Sequence, residues 1–218
     1  MRDYEKELRR ADAVLWVGTE AVYVWDKRAG VEAGIPFTGD ALRDIPYVPK
    51  LHDLWEDAPH YQEALRDIVG GGFFRKKRIL VAVPQDATTV EVTALEDFVR
   101  AALGASLKRG GLWLYPQSIV LRGGAGTYVA LNRSCRCYSV ALVRDGEVAE
   151  EVLLDAQTTS RNAVLSEIRA FRGRTGQMAL EICYPLMEED RTIVGLGAPV
   201  AFAGIAVGDY TQKAKEFA

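Results

Sequence analysis

Apolar and polar residues fall into distinct blocks along this 218-residue chain. Ala13 to Trp25 (AVLWVGTEAVYVW) holds two apolar runs around Gly18-Thr19, which predicts a β-hairpin. Residues 26–59 lose the pattern. Prolines at 36, 46, 49 and 59, with glycines at 30, 34 and 39, argue against a long regular element there. From His60 to Val69 the residues Ala64, Leu65, Ile68 and Val69 share one helical face, and Gly70-Gly71-Gly72 stops that helix. The clearest stretch is Arg78 to Val148. RILVAVPQDATTVEVTALEDFVRAALG predicts a buried strand, a Val83-Pro84 turn, and a helix opened by Thr88 and Glu91 in capping-box spacing. LWLYPQSIVL and YVALNRSCRCYSVALVRDGEV follow as apolar segments, the second closing at the hairpin signal Asp145-Gly146.

Further along, Thr159 to Phe171 predicts an amphipathic helix with Val164, Leu165, Ile168 and Phe171 inward. Met178 to Cys183 predicts a short strand, and the glycine-rich run Thr192 to Val207 predicts short strands joined by turns. Met1 to Asp12 suits a short, charged, solvated helix. No internal repeat stands out in the sequence. Strands alternating with helices and hairpins place the chain in the α/β or α+β class with a mixed sheet.

Composition narrows the function classes. Net charge is −3, so no overall basic field recruits nucleic acid. An odd three cysteines make no disulfide framework and suit a reducing cytoplasm. No run of about twenty apolar residues suggests a membrane span, and MRDYEKELRRADA lacks the apolar core of a signal peptide. The expectation is a soluble cytoplasmic protein.

Candidate chemistry is sparse. Cys135-x-Cys137 on a strand places both thiols on one face, but a metal site needs two more ligands, so the reading is buried free thiols. His52, Asp53, Glu56, Asp57 and His60 cluster in sequence, but Pro59 is expected to break any helix aligning them, which leaves a solvated loop. Gly123-Gly124-Ala125-Gly126 lacks the lysine of a P-loop and reads as a turn. The best positive signal is Phe73-Phe74-Arg75-Lys76-Lys77-Arg78 after the glycine triplet. Two rings followed by four cations suit an anionic membrane surface, each cation contributing on the order of 1 kcal/mol. The alternative packs both rings under the sheet and leaves the cations as a solvated strand entry.

The order of these segments resembles the MreB-type bacterial actins of the actin-like ATPase superfamily. LWVGTEAVYV resembles the family's first phosphate hairpin, and YVPKLHDLWEDAPHYQEALRDIV resembles its proline-lysine-aspartate segment and following helix. FFRKKRILVAVPQDATTVEVTALEDF resembles its strand, Val-Pro turn and Glu-rich helix, and RTGQMALEICYPLMEEDRTIVGLGAPVAFAGIAV its Arg-Thr-Ala-Glu helix and small β lobe. The implied fold is actin-like (ribonuclease H-like), with mixed sheets and flanking helices. The implied domains are 1–125, with a small lobe reduced to about 26–59, and 126–218, a truncated second domain ending at Ala218.

The resemblance also implies a degenerate ATPase. Gly18 and Thr19 remain at the first phosphate hairpin, but Trp16 stands where the family has Asp. At the second hairpin Leu131 or Asn132 replaces the metal-associated Asp, and Arg133, Ser134 and Cys135 replace glycines. Leu114 or Tyr115 replaces the acidic residue of the proline motif. Gly18, Thr19, Asn132, Arg133 and Ser134 are thus a vestigial nucleotide site. Arg133 and Arg136 either hold phosphates there or cover a solvated turn, and the turn is the favoured reading. The expected protein is a non-hydrolysing pseudo-actin of cell shape, with no cofactor and with ATP and Mg²⁺ not favoured. Its expected partners are copies of itself or another bacterial actin-like protein, and an anionic membrane met peripherally from the cytoplasm through Phe73 to Arg78. The rivals are a reduced ATPase with a carboxylate near Thr19 and Asn132, such as Asp86 or Asp155, and a module docking on a larger partner.

Overall fold

A computed structural model describes residues 4–27, 30–38, 49–70, 76–123, 126–176, 179–187 and 189–201. Two five-stranded mixed sheets face each other across a shared apolar layer that also takes in Leu8, Ile119 and Val120 from short helices, and longer helices cover their outer sides, as the expected architecture of mixed sheets and flanking helices requires. The first sheet comprises β1 (Ala13–Val17), β2 (Ala21–Asp26), β3 (Val31–Pro36), β4 (Lys77–Val83) and β5 (Leu107–Pro116), in the order β3-β2-β1-β4-β5. The second comprises β6 (Thr127–Arg133), β7 (Cys137–Arg144), β8 (Glu147–Asp155), β9 (Glu181–Pro185) and β10 (Ala198–Val200), in the order β10-β9-β6-β7-β8.

The two orders are one topology used twice. Each sheet has an antiparallel meander of three strands whose first strand then pairs in parallel with the fourth. The duplication escapes a search for sequence repeats because only the positions of apolar faces recur, and many residues satisfy those. Central strands β1 and β7 are buried almost throughout, so alternation is lost and they read as continuous apolar runs.

Three apolar layers result. Ala13, Leu15 and Val17 face outward beneath α3 (Ala58–Val69) and α4 (Thr89–Leu103). The alternate residues Val14 and Trp16 face the other sheet and meet Tyr128, Ala130 and Val143. Beyond the second sheet, Val164, Ile168 and Phe171 of α6 (Arg161–Thr175) pack on Val129, Leu131 and Val140. Three short helices complete the described fold: α1 (Tyr4–Arg10), α2 (Asp53–Glu56) and α5 (Gln117–Val120).

Local signals account for the element ends. Thr88 and Glu91 form the full capping box at α4. Asp145 and Gly146 both adopt positive φ, 48° and 82°, the two-residue turn whose twist matches its flanking strands. Gly70 ends α3, while Gly71 and Gly72 lie outside the described residues. The expectation of an irregular 26–59 is corrected by β3, α2 and the start of α3. Pro36 is the last residue of an edge strand and Pro59 sits in the first turn of α3, the positions where a missing N–H costs nothing. Prolines here mark ends and do not prevent elements. Of the run 192–207, β10 is described and residues 202–207 lie outside the described residues, as do Gly124 and Ala125.

Candidate functional site

The two equivalent turns, residues 18–20 between β1 and β2 and residues 134–136 between β6 and β7, come together at one end of the sheet pair. Gly18, Thr19, Arg133 and Ser134 line a shared crevice with Asp86. The structure therefore brings together four of the five residues that the resemblance placed at a vestigial nucleotide site, and the fifth, Asn132, lines an adjoining cleft.

Four amides at these turns are already engaged. The Gly18 N–H donates to the Ala21 carbonyl at 2.9 Å, and the Ser134 N–H donates to the Cys137 carbonyl at 2.8 Å. Ser134 Oγ in turn accepts the N–H groups of Arg136 and Cys137, both at 3.0 Å. A phosphate cradle needs free N–H groups converging on one point, and these four point elsewhere.

Arg136 fills the space between the halves. Its Nε donates to Asp86 Oδ2 at 2.8 Å, and its terminal nitrogens donate to Glu91 at 3.2 and 3.0 Å and to the Asp86 carbonyl at 2.7 Å. Ser134 Oγ donates to the same Asp86 oxygen at 2.7 Å, and His52 Nε2 lies 3.0 Å from Glu91. The earlier choice for Arg136, phosphate ligand or solvated turn, is corrected to neither. It is an internal ion pair joining the second half to the first. Burial alone would raise the Glu91 carboxyl, but the bonds from Arg136, Thr88 and His52 prevail and hold it at about 2. Burial also weakens the Arg136 charge, and Glu91 and Asp86 overcome this and push its pKa upward. Glu91 had been legible only as a cap. Its second role appears because α4 begins where the Arg136 turn arrives.

Beside this clamp an open cleft of about 390 Å³ is lined by Trp16, Thr19, Tyr23, Asn132, Arg133 and Asp190, among others. Asn132 follows Ala130 on the inter-sheet face and is only 3% exposed, yet neither amide atom has a partner. Arg133 Nε lies 3.2 Å from Asp190 without an aligned hydrogen bond. Asp190 also accepts from the Tyr138 hydroxyl at 3.0 Å and from the Thr192 N–H at 2.7 Å. These bonds outweigh burial and lower its pKa. Asp86 reaches the neighbouring crevice but is held by Arg136, and Asp155 caps its own turn at Gln157 and Thr158. Three carboxylates line the cleft, Glu20, Glu189 and Asp190, and sequence reasoning missed all three; the signal for the last two was the acidic run before Arg191.

Of the basic run, Phe73, Phe74 and Arg75 lie outside the described residues. Lys76 is exposed and donates to the Ala105 carbonyl. The expectation that Lys77 and Arg78 face a membrane is corrected. Lys77 is 7% exposed and its ammonium donates to Asp26 at 2.5 Å and to the Val69 carbonyl. Arg78 Nε donates to Asp12 at 3.1 Å. β4 starts at Lys77, and strand alternation turns that residue under α3.

The expected loop at His52 to His60 is likewise corrected to helix, with Asp53 buried and His52 against Glu91. Cys137 is buried and Cys135 half-buried, both free; burial pushes their thiols up to about 12 and about 11. Among the described residues, no cluster of three or more His, Cys, Asp or Glu is arranged to hold a metal, and no helix is long and apolar enough to cross a membrane.

No protein-family model and no curated protein matches the chain. Similar solved structures include ADP-bound MreB5 of Spiroplasma citri, at 16% identity and TM-score 0.48 over 78% of this chain and 58% of that one. The ethanolamine utilization protein EutJ from Carboxydothermus hydrogenoformans is 10% identical, with TM-score 0.43 over 80% of this chain and 75% of its own. A protein with actin-like ATPase fold and unknown function from Bacteroides thetaiotaomicron is 7% identical, with TM-score 0.44 over 87% of each chain. The chain thus spans less than two thirds of the length of MreB5.

Proposed function

We propose that this chain is an actin-like protein of the MreB type that works by binding and not by hydrolysing nucleotide. The observation that carries the reading is the state of the two turns. Four N–H groups at these turns are bonded internally, and the guanidinium of Arg136 ties the halves together through Asp86 and Glu91. In a two-lobed fold, a ligand that bridges the lobes sets their closure. Here a built-in ion pair takes that place, so closure needs no ATP cycle. The working surface is then the outside of the protein: copies of itself, another bacterial actin-like protein, or the anionic inner face of a membrane, with a role in cell shape. Membrane contact falls on Phe73, Phe74, Arg75 and Lys76, because Lys77 and Arg78 are engaged within the fold.

The test joins two measurements on purified protein. Mg-ATP titration and phosphate release should give neither saturable binding nor turnover, and turnover above background would sink the reading in favour of a reduced ATPase. Co-sedimentation with anionic vesicles should be indifferent to ATP and lost in Phe73→Ala/Phe74→Ala. Wild-type protein that stays in the supernatant would remove the membrane role and leave protein partners.

A further inference from the structure

The outer helices of the two halves carry opposite charge. On the first half, α2, α3 and α4 hold seven carboxylates against two arginines, and Glu56, Glu63, Asp67, Glu96 and Asp97 reach the surface. On the second half, α6 holds four arginines against one glutamate. Arg174 meets Glu150, and Arg161 donates to the Arg191 and Val194 carbonyls. Arg169 is exposed and has no partner among the described residues, and the same holds for Glu56 and Asp97.

The acidic side also carries an apolar opening. A shallow groove of about 400 Å³ lies between α2 and the first turns of α4. Val90, 77% exposed, and Ala94 line it from α4, and the half-buried Trp55 and exposed Glu56 line it from α2. A lone surface valine is ordinary, but here it continues into an alanine and part of a tryptophan ring, an apolar area open to water. The acids around it repel nucleic acid and anionic lipid. Its complement is an apolar side chain flanked by cations.

The chain itself presents that complement. Val90, Ala94 and Asp97 are spaced i, i+4, i+7 and share one side of α4, a stripe about 10 Å long. Leu165, Arg169 and Arg172 repeat the spacing on α6, and each keeps some exposure. Set parallel, the two stripes bring Leu165 to Val90 and the cations to Asp97. One molecule cannot make this contact with itself, because α4 and α6 cover opposite sides of the sheet pair.

We infer that the groove between α2 and α4 of one copy receives the α6 face of a second copy, with Leu165 beside Val90 and Trp55, and Arg169 and Arg172 against Glu56 and Asp97. The inference rests on the reading that the outer surface works on copies of this chain, and it names the faces. Each copy offers one face of each kind, so the contact is heterologous and adds copies in series.

The experiment is sedimentation velocity of the purified chain over a concentration series, at low and high salt. Species larger than a dimer should grow with concentration and recede at high salt. Arg169→Glu and Asp97→Arg should each weaken association by about tenfold or more, with melting points equal to wild type because neither side chain has a partner in the fold. Val90→Ser should weaken it by about fivefold. Mixing the two charge-reversed proteins in equal amounts should restore assembly, since each altered face then meets its complement on the other protein. Variants that weaken association singly but fail to recover on mixing overturn the pairing of α4 with α6. Assembly that ignores all three substitutions overturns the inference and leaves self-association standing on another surface. Wild-type protein that stays monomeric throughout overturns both the inference and the self-partner reading, leaving the membrane or a different protein as the partner.

Discussion

The two turns that meet between the sheets are built on the same backbone bond and have opposite contents. Gly18-Thr19-Glu20 and Ser134-Cys135-Arg136 each close with the first N–H donating to the carbonyl three residues on. At the third position the first turn carries an acid and the second a base. Glu20 is 67% exposed at its side chain and reaches Lys50 at the surface, whereas Arg136 is 23% exposed and bonds Asp86 and Glu91, both 9% exposed. One duplicated topology has therefore given one turn to solvent and one to the junction. The value of a charge here is set by depth: an exposed pair exchanges water for a partner at almost no gain, while a buried network has no water to fall back on.

The sharpest way to break that comparison is to delete the buried side of it. Arg136→Ala leaves Asp86 and Glu91 facing each other without a cation, and should destabilise the fold by about 3–4 kcal/mol in denaturant titrations. Arg136→Lys should recover only part of this, since an ammonium lacks the fork that spans both carboxylates. A loss below about 1 kcal/mol for Arg136→Ala would mean that the junction is held by apolar packing alone.

Acid should produce a slightly smaller effect through the same contacts. Glu91 is lowered in the folded state, from 4.5 to about 2. A depressed carboxylate stabilises the fold at pH above its unfolded value and loses that contribution as pH falls toward the folded value. The window therefore runs from pH 4.5 down to about 2, with about 3 kcal/mol at stake. Stability measured across that window should fall for wild type, and fall less steeply in Arg136→Ala, where much of the depression is absent. Parallel curves for the two proteins would place the acid sensitivity elsewhere.

How much of this the sequence disclosed depends on the range of each interaction. Elements fixed by neighbours in the chain were legible: the β1–β2 hairpin, the Thr88–Glu91 cap and the Asp145-Gly146 turn. Gly18, Thr19, Asn132, Arg133 and Ser134 were also placed at one site, by the order of motifs. What stayed hidden was the partner of each charge. Lys77 looked like part of an exposed basic run because Asp26, fifty-one residues earlier, leaves no local trace. Arg136 and Glu91 are forty-five residues apart and each has an adequate local explanation, as a turn cation and as a cap. The duplicated topology was hidden for a related reason: it conserves the direction and pairing of strands, and no residue type is required for either.

A more modest effect should come from the first position of the exposed turn. A Cβ on Gly18 would lie 2.8 Å from the Tyr23 ring and 3.0 Å from the Ala21 carbonyl. The ring can shift but the carbonyl belongs to the turn's own hydrogen bond, so Gly18→Ala should cost about 1–2 kcal/mol by crowding. The equivalent Ser134 already carries a Cβ, and its hydroxyl organises the turn around it. Thermal melting of Gly18→Ala should fall accordingly, and a melting point equal to wild type would mean that the first turn yields freely, as a loop would.

The smallest effect is the other half of the opening contrast. Glu20→Ala removes an acid at the position equivalent to Arg136, and by sequence the two substitutions look alike. The Glu20 side chain is mostly in water, and its tie to Lys50 links two surface segments that other contacts already hold. Its loss should change stability by less than about 0.5 kcal/mol, and what remains should vanish at high salt because a solvent-exposed pair is screened. The Arg136→Ala deficit, sheltered from solvent, should persist in the same salt. If Glu20→Ala costs as much as Arg136→Ala, depth is not what separates the turns, and the two halves share the junction evenly after all.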